Sequence, residues 1–170
     1  MVRFNRDWDL AGTLRDLDRA VALNPSLARA HQYRSAVLTV MGKFPEAVEA
    51  ARYAQHLDPL SAAENTTLGV RLYFAGRYQE AIAQFTSTMA TSPGFAVAHW
   101  GLGETYRELG RHAEAIAELR QAVTLSDNSA YMRAWLAHAL ATAGQQAEAD
   151  TIRRDLERLA SERYVSPFLF

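Results

Sequence analysis

Apolar and small residues recur at helical spacing along the chain, and the pattern repeats itself. In residues 96–110, AVAHWGLGETYRELG, the recurring positions are Trp100, Leu102, Gly103, Tyr106 and Leu109. Gly110 then permits the positive φ that ends a helix. RHAEAIAELRQAVTL opens a second helix with Ala115, Ile116, Leu119, Ala122 and Val123 on one face. Pro25, Pro59 and Pro93 stand 34 residues apart, and Gly42, Gly76, Gly110 and Gly144 keep the same step. Two further ladders, Glu46, Glu80, Glu114, Glu148 and Ala47, Ala81, Ala115, Ala149, share it. Four ladders of one period define a repeat, and each unit reads helix–Gly–helix–turn. Where the proline ladder lapses, Asp127-Asn128-Ser129 still signals a turn, through side chains that bond to the backbone.

Composition narrows the fold class to all-α. Of 170 residues 31 are alanine, the best helix former, while the 9 glycines and 5 prolines fall mostly between the helical patterns. Formal charge is −1, from 18 basic and 19 acidic residues, so a basic nucleic-acid footprint is not expected. Lys43 is the only lysine and the arginines are scattered, which argues against a polybasic membrane patch. Without cysteine there are no disulfides and no thiol-ligated metal. No apolar run approaches the roughly 20 residues of a membrane span. Residues 1–10 lack the apolar stretch and cleavage site of a signal peptide, and a cytoplasmic location is expected.

These residues resemble a tetratricopeptide repeat (TPR) array. In residues 62–95 the family pattern is carried by Leu68-Gly69, Leu72, Gly76-Arg77-Tyr78, Glu80-Ala81, Phe85 and Pro93. In 96–129 it is carried by Leu102-Gly103, Tyr106, Leu109-Gly110, Glu114-Ala115-Ile116, Leu119 and Ala122. The resemblance implies a right-handed α-solenoid of antiparallel helix pairs, the TPR superhelix, with partners bound on the concave face lined by first helices. Residues 6–27 then form a half-unit, 28–61, 62–95, 96–129 and 130–163 form repeats, and 164–170 start a further one. The segments RDWDLAGTLRDLDRAVALNPS, HLDPLSAA, LYFAGRYQEAIAQF and ERYVSPF are also similar to TPR tails of multidomain bacterial signalling proteins and transcriptional regulators. That likeness implies a context and no activity.

The two ends do not complete a repeat. Trp8, Leu17, Ala20 and Leu23 match only a second helix, and Ser166-Pro167 reads as a helix start cut short by Phe168-Leu169-Phe170. Solenoids need polar end faces, and none is evident at either end from the pattern alone. The expectation is a piece excised from a longer protein. The alternative is self-assembly, in which end faces carrying Phe168 and Phe170 stack between copies.

Candidate chemistry is sparse. The chain has no P-loop, no HExxH, no Gly-x-Ser-x-Gly and no calcium loop. Gly101-Leu102-Gly103 lacks a third glycine and lies within a helical pattern, so it reads as close helix packing. His31 and His99 fill one slot two repeats apart, which suits a packing role better than a shared metal. The Glu46 ladder recurs at every second-helix start, where it stabilises the positive end of the helix dipole. No enzyme, metal or cofactor is expected.

What remains is surface. Carried over by slot from the family, the groove would include Gln32; then Thr66, Tyr73 and Phe74; then Trp100, Glu104, Arg107 and Glu108; then Tyr131 and His138. Two readings compete for the aromatic stripe through Tyr73, Phe74, Trp100 and Tyr131. The rings pad the core between repeats, or they capture an apolar or aromatic anchor of a protein partner, since Trp and Tyr are frequent hot spots. A carboxylate clamp of the co-chaperone type is not expected, because its slots hold Gln32, Ala36, Thr66, Thr67, Val97 and Gly101. Small-ligand sensing in the groove is a further alternative.

Overall fold

The computed structural model describes residues 9–162, and all regular structure among them is helical. The helices are α1 (Leu10–Leu23), α2 (Ala28–Val40), α3 (Phe44–Leu57), α4 (Ala62–Phe74), α5 (Tyr78–Thr91), α6 (Ala96–Glu108), α7 (His112–Leu125), α8 (Ala130–Thr142) and α9 (Gln146–Glu162). First helices α2, α4, α6 and α8 each end in a glycine with left-handed φ, between +71° and +79°. The two bonds of a Schellman motif accompany each glycine. At Gly42 its own N–H donates to the Thr39 carbonyl at 3.0 Å, and the N–H of Lys43 donates to Leu38 at 2.9 Å. A tight turn follows, and the second helix runs back along the first.

The turn into the next first helix is latched by one recurring side chain. Imidazole Nε2 of His31 donates to the Pro25 carbonyl at 2.9 Å, and that of His99 to Pro93 at 3.2 Å. Asn65, midway between them in the ladder, donates its amide to Pro59 at 2.9 Å. The slot is therefore a backbone tie, a more specific role than the packing expected of it. His99 also sets Nδ1 2.7 Å from the Glu118 carboxylate. At the entry to the last repeat Asp127 and Asn128 make the turn with φ of 53° and 56°, and Arg133 in the latch slot pairs instead with Asp155 at 3.1 Å.

The chain divides into two compact units between Gln84 and Phe85, within α5. In the first unit α2 packs on α1 and α3, and α4 packs on α2 and α3. Leu17, Leu38, Val48, Ala51, Leu68 and Leu72 are buried there. In the second unit α7 packs on α6 and α8, and α8 on α9. Its core gathers Ile116, Leu119, Leu136, Ala139, Leu140 and Ala149. Close packing explains both glycines of α6. A Cβ on Gly101 would stand 2.4 Å from the buried Phe85 ring, and one on Gly103 would stand 2.8 Å from Leu119 Cγ.

The outward slots of the second helices change character along the chain. Val48, Ile116 and then Asp150 share one slot; Ala51, Phe85, Leu119 and then Arg153 share another. The apolar members are buried, whereas Arg153 is exposed and bridges Asp150 at 3.4 Å and Glu157 at 2.8 Å. At these slots α9 therefore presents charge where the earlier second helices are apolar. The remaining end features, Trp8 and residues 164–170 with Phe168 and Phe170, lie outside the described residues.

Candidate aromatic and acidic face

Two helical stripes run side by side in the second unit. Trp100, Glu104 and Arg107 are spaced i, i+4, i+7 on α6, and Tyr131, Trp135 and His138 are spaced alike on α8. The Trp100 and Trp135 ring centroids are 5.6 Å apart in a T-shaped contact. Tyr131 lies 6.3 Å from Trp100 and 6.1 Å from Trp135, and His138 lies 6.5 Å from Trp135. Offset and edge-on contacts of this kind suit the ring quadrupoles. Trp100 and Trp135 also lean on the core, against the cluster containing Leu119 and Leu136. Tyr131 keeps 46% of its surface exposed. The stripe is therefore padding at its base and open surface at its edge. Trp135 is not among the residues expected here, although its spacing from Tyr131 and His138 places it on their stripe.

Charge sits beside the rings. Glu104 is 3% exposed, and its Oε2 accepts from Arg107 Nη2 at 3.1 Å. Arg107 also bonds Glu108 at 2.5 Å. Glu104 Oε1 and the indole Nε1 of Trp100 are both buried without a hydrogen-bond partner. Burial pushes the Glu104 carboxyl above its ordinary range; Arg107 and His138 pull it back, and Glu108 adds to the rise. His138 also borders a groove of about 250 Å³ between α8 and α9, floored by Ala134, Ala137, Ala141, Ala149 and Leu156.

In the first unit the corresponding slots are more polar. Gln32 donates its amide to the Thr67 hydroxyl at 3.2 Å, and Arg71 Nε donates to Ser35 Oγ at 3.0 Å. Burial lowers the Arg71 guanidinium to about 10. Thr66 is buried. Tyr73 meets Phe74 edge-on at 5.2 Å and Tyr78 at 5.9 Å, and Phe74 remains 48% exposed. The expected stripe thus comprises two ring groups: Tyr73 with Phe74 and Tyr78, and Trp100 with Tyr131 and Trp135.

Glu80 and Glu114 of the acidic ladder are held by Arg77 and Arg111, which keep both carboxyls below their ordinary range. Glu148 pairs with Arg120 at 2.9 Å. Among the described residues no group of three or more His, Asp or Glu side chains is placed to hold a metal. Nor is any of their helices long and apolar enough to cross a membrane.

Residues 66–130 match the family model described as tetratricopeptide repeat. No curated protein matches the chain by sequence. Among solved structures, TTC0263, a thermophilic TPR protein of Thermus thermophilus, superimposes with a TM-score of 0.79 at 23% identity, over 89% of this chain and 84% of that one. PilW, a widely conserved type IV pilus biogenesis factor, gives 0.80 at 22% identity, over 93% and 73%. MamA from Desulfovibrio magneticus RS-1, from its residue 41 onward, gives 0.71 at 18% identity, over 96% and 92%. Such identities speak to fold, and the fold is the TPR α-solenoid. The ladders, the helix–Gly–helix units and this match identify residues 66–130 as tetratricopeptide repeats.

Proposed function

We propose that this chain is a non-catalytic protein-interaction module that holds a peptide or partner segment against the α6–α8 face. The observation that carries the reading is the ring cluster of Trp100, Tyr131 and Trp135, anchored on the core yet open at Tyr131. Rigid aromatic side chains bind at low entropic cost, and they dominate many interfaces. Arg107, Glu108 and His138 flank the rings as polar selectors, and the buried Glu104 holds Arg107 in place. Gln32, Tyr73 and Phe74 offer a second contact surface on the first unit, whereas Thr66 is buried behind it and does not. The setting we favour is a larger bacterial regulatory protein, in line with the likeness of the sequence to TPR tails. The charged face of α9, with Asp150, Arg153 and Glu157, disfavours stacking of copies through that face.

The test is selection of binders from a displayed library of random 12-residue peptides against the whole chain. Enriched peptides should bind the Tyr131→Ala variant at least about tenfold more weakly, as expected for a hot spot. They should bind an Arg120→Ala control unchanged. Peptides indifferent to Tyr131→Ala, or no enrichment at all, would refute the reading.

A further inference from the structure

One arginine of the first unit breaks its ladder. Val37, Arg71, Thr105 and Ala139 share a slot, and the other three are 3%, 0% and 1% exposed. The slot therefore buries its backbone and first side-chain carbons. Arg71 is only partly buried, and the surface it keeps lies at the far end of its side chain. Its Nε donates to Ser35 Oγ at 3.0 Å, and Ser35 Oγ in turn donates to the Gln32 carbonyl at 2.7 Å. These two bonds hold the guanidinium at the α2–α4 junction. Nη1 and Nη2 make no hydrogen bond or ion pair with the described residues, and neither is sealed from solvent. No carboxylate offsets the charge: burial alone moves this guanidinium, down to about 10.

From this geometry we infer that the α2–α4 junction takes an aspartate or glutamate side chain of a partner, its carboxylate oxygens accepting from Nη1 and Nη2 of Arg71. Because Nε is committed to Ser35, the end-on pair of donors is the free edge of the fork, and such a pair matches a carboxylate. A guanidinium partly withdrawn from water without a counter-charge is costly, and an incoming carboxylate removes much of that cost. A single cation suits a monoanion, whereas a phosphate, carrying close to −2, would call for a second. Phe74, three residues on from Arg71, is 48% exposed and offers apolar surface beside the slot. An arginine in an otherwise apolar or small-residue ladder breaks a local rule, as functional sites do. The inference rests on the reading of this chain as an interaction module. It gives the second contact surface its anchor and makes no use of the α6–α8 rings.

The experiment uses the whole chain and four acetylated, amidated pentapeptides, Gly-Leu-X-Leu-Gly, with X as Glu, Gln, Lys or phosphoserine, titrated to about 10 mM. The readout is the Nε–H resonance of Arg71, assigned by its loss in Arg71→Met; the backbone amides of Thr67 and Phe74 report binding in the variants. The Glu peptide should shift these signals saturably, weaken as salt is raised, and bind at least tenfold more tightly than the Gln and Lys peptides. Arg71→Met keeps an unbranched stem without the charge, in a slot that holds Val37 one repeat earlier, and should bind Glu and Gln alike. Ser35→Ala, matched by Ala137 in the same slot of the last repeat, releases Nε and should lower the preference for Glu over Gln several-fold. A purely structural role for Ser35 would leave that ratio unchanged, so the inference stays open to test should Arg71→Met unfold. A Gln peptide that binds as well as Glu overturns the inference, as does a folded Arg71→Met variant that keeps the preference. A phosphoserine peptide bound tenfold more tightly than Glu also overturns it and reassigns the slot to phosphate. Absence of any shift in the Arg71 resonance with all four probes overturns it too. The α6–α8 reading stands or falls separately, on whether Tyr131→Ala weakens displayed binders.

Discussion

The junction between adjacent first helices is built in two ways within this one chain. In the first unit its slots hold Gln32 and Thr67, joined by a hydrogen bond of 3.2 Å. In the second unit the same two slots, 68 residues later, hold Trp100 and Trp135 in ring contact at 5.6 Å. The backbone period places the partners identically, and the side chains decide what the junction does. At Gln32 the donor and acceptor satisfy each other. At Trp100 the rings supply area, while the indole N–H and the nearby Glu104 Oε1 are left without partners. A repeat fold thus separates the position of a site from its chemistry.

The largest expected effect comes from making the second junction like the first. Trp100→Gln with Trp135→Thr should lower unfolding free energy by about 3 kcal/mol, somewhat less than full-burial truncations because both rings are partly exposed. Chemical denaturation of the full chain checks this. A loss below about 1 kcal/mol would mean the rings are not integral to the core. Next in size is Gly101→Ala, in the slot held by Thr67 in the first unit. Its Cβ would collide with the Phe85 ring, and overpacking of about 1–3 kcal/mol should exceed the gain of roughly 1 kcal/mol in helix propensity. Phe85→Leu in the same chain should recover part of the loss.

The latch offers a finer comparison. His99→Ala should cost about 1 kcal/mol by removing its bonds to the Pro93 carbonyl and the Glu118 carboxylate. His99→Asn should cost less, because Asn65 makes the equivalent bond to Pro59. Equal losses in the two variants would show that the carbonyl bond contributes little. The smallest effect concerns Glu104, whose slot in the first unit holds Val70. Burial raises its folded pKa above the unfolded value, so the native state holds its proton longer. Its contribution is therefore fully present below the ordinary carboxylate range and is lost as pH rises through the raised folded value. Stability of wild type minus Glu104→Gln should fall from about pH 4 toward neutrality. A difference that rises with pH would contradict the burial assigned to Glu104.

Much of the fold was legible because glycine and proline report local backbone needs. Gly42, Gly76, Gly110 and Gly144 all adopt the left-handed φ that their positions imply. The candidate site was only partly legible. Trp100, Glu104 and Tyr131 followed from their slots, whereas Trp135 did not, because its ladder runs Tyr33, Thr67, Gly101, Trp135 and carries no common chemistry. Ring size in that slot depends on the facing second helix. Glycine opposes Phe85, while Trp135 packs on the cluster containing Leu119. The α9 face was readable in principle, since Asp150 and Arg153 break ladders that are apolar in the earlier units.

Local rules were enough for helix class, helix length, turn positions and the 34-residue period, since propensity, capping and turn chemistry act over a few residues. They were enough, too, for the absence of thiol chemistry. Which polar atoms find partners depends on side chains brought together across helices. Only packing reveals that His31, Asn65 and His99 tie their turns, that Gln32 is satisfied by Thr67, and that Glu104 buries an oxygen with nothing to bond. Burial and hydrogen bonding are properties of neighbours distant in the chain, and the chemistry of this face arises from them.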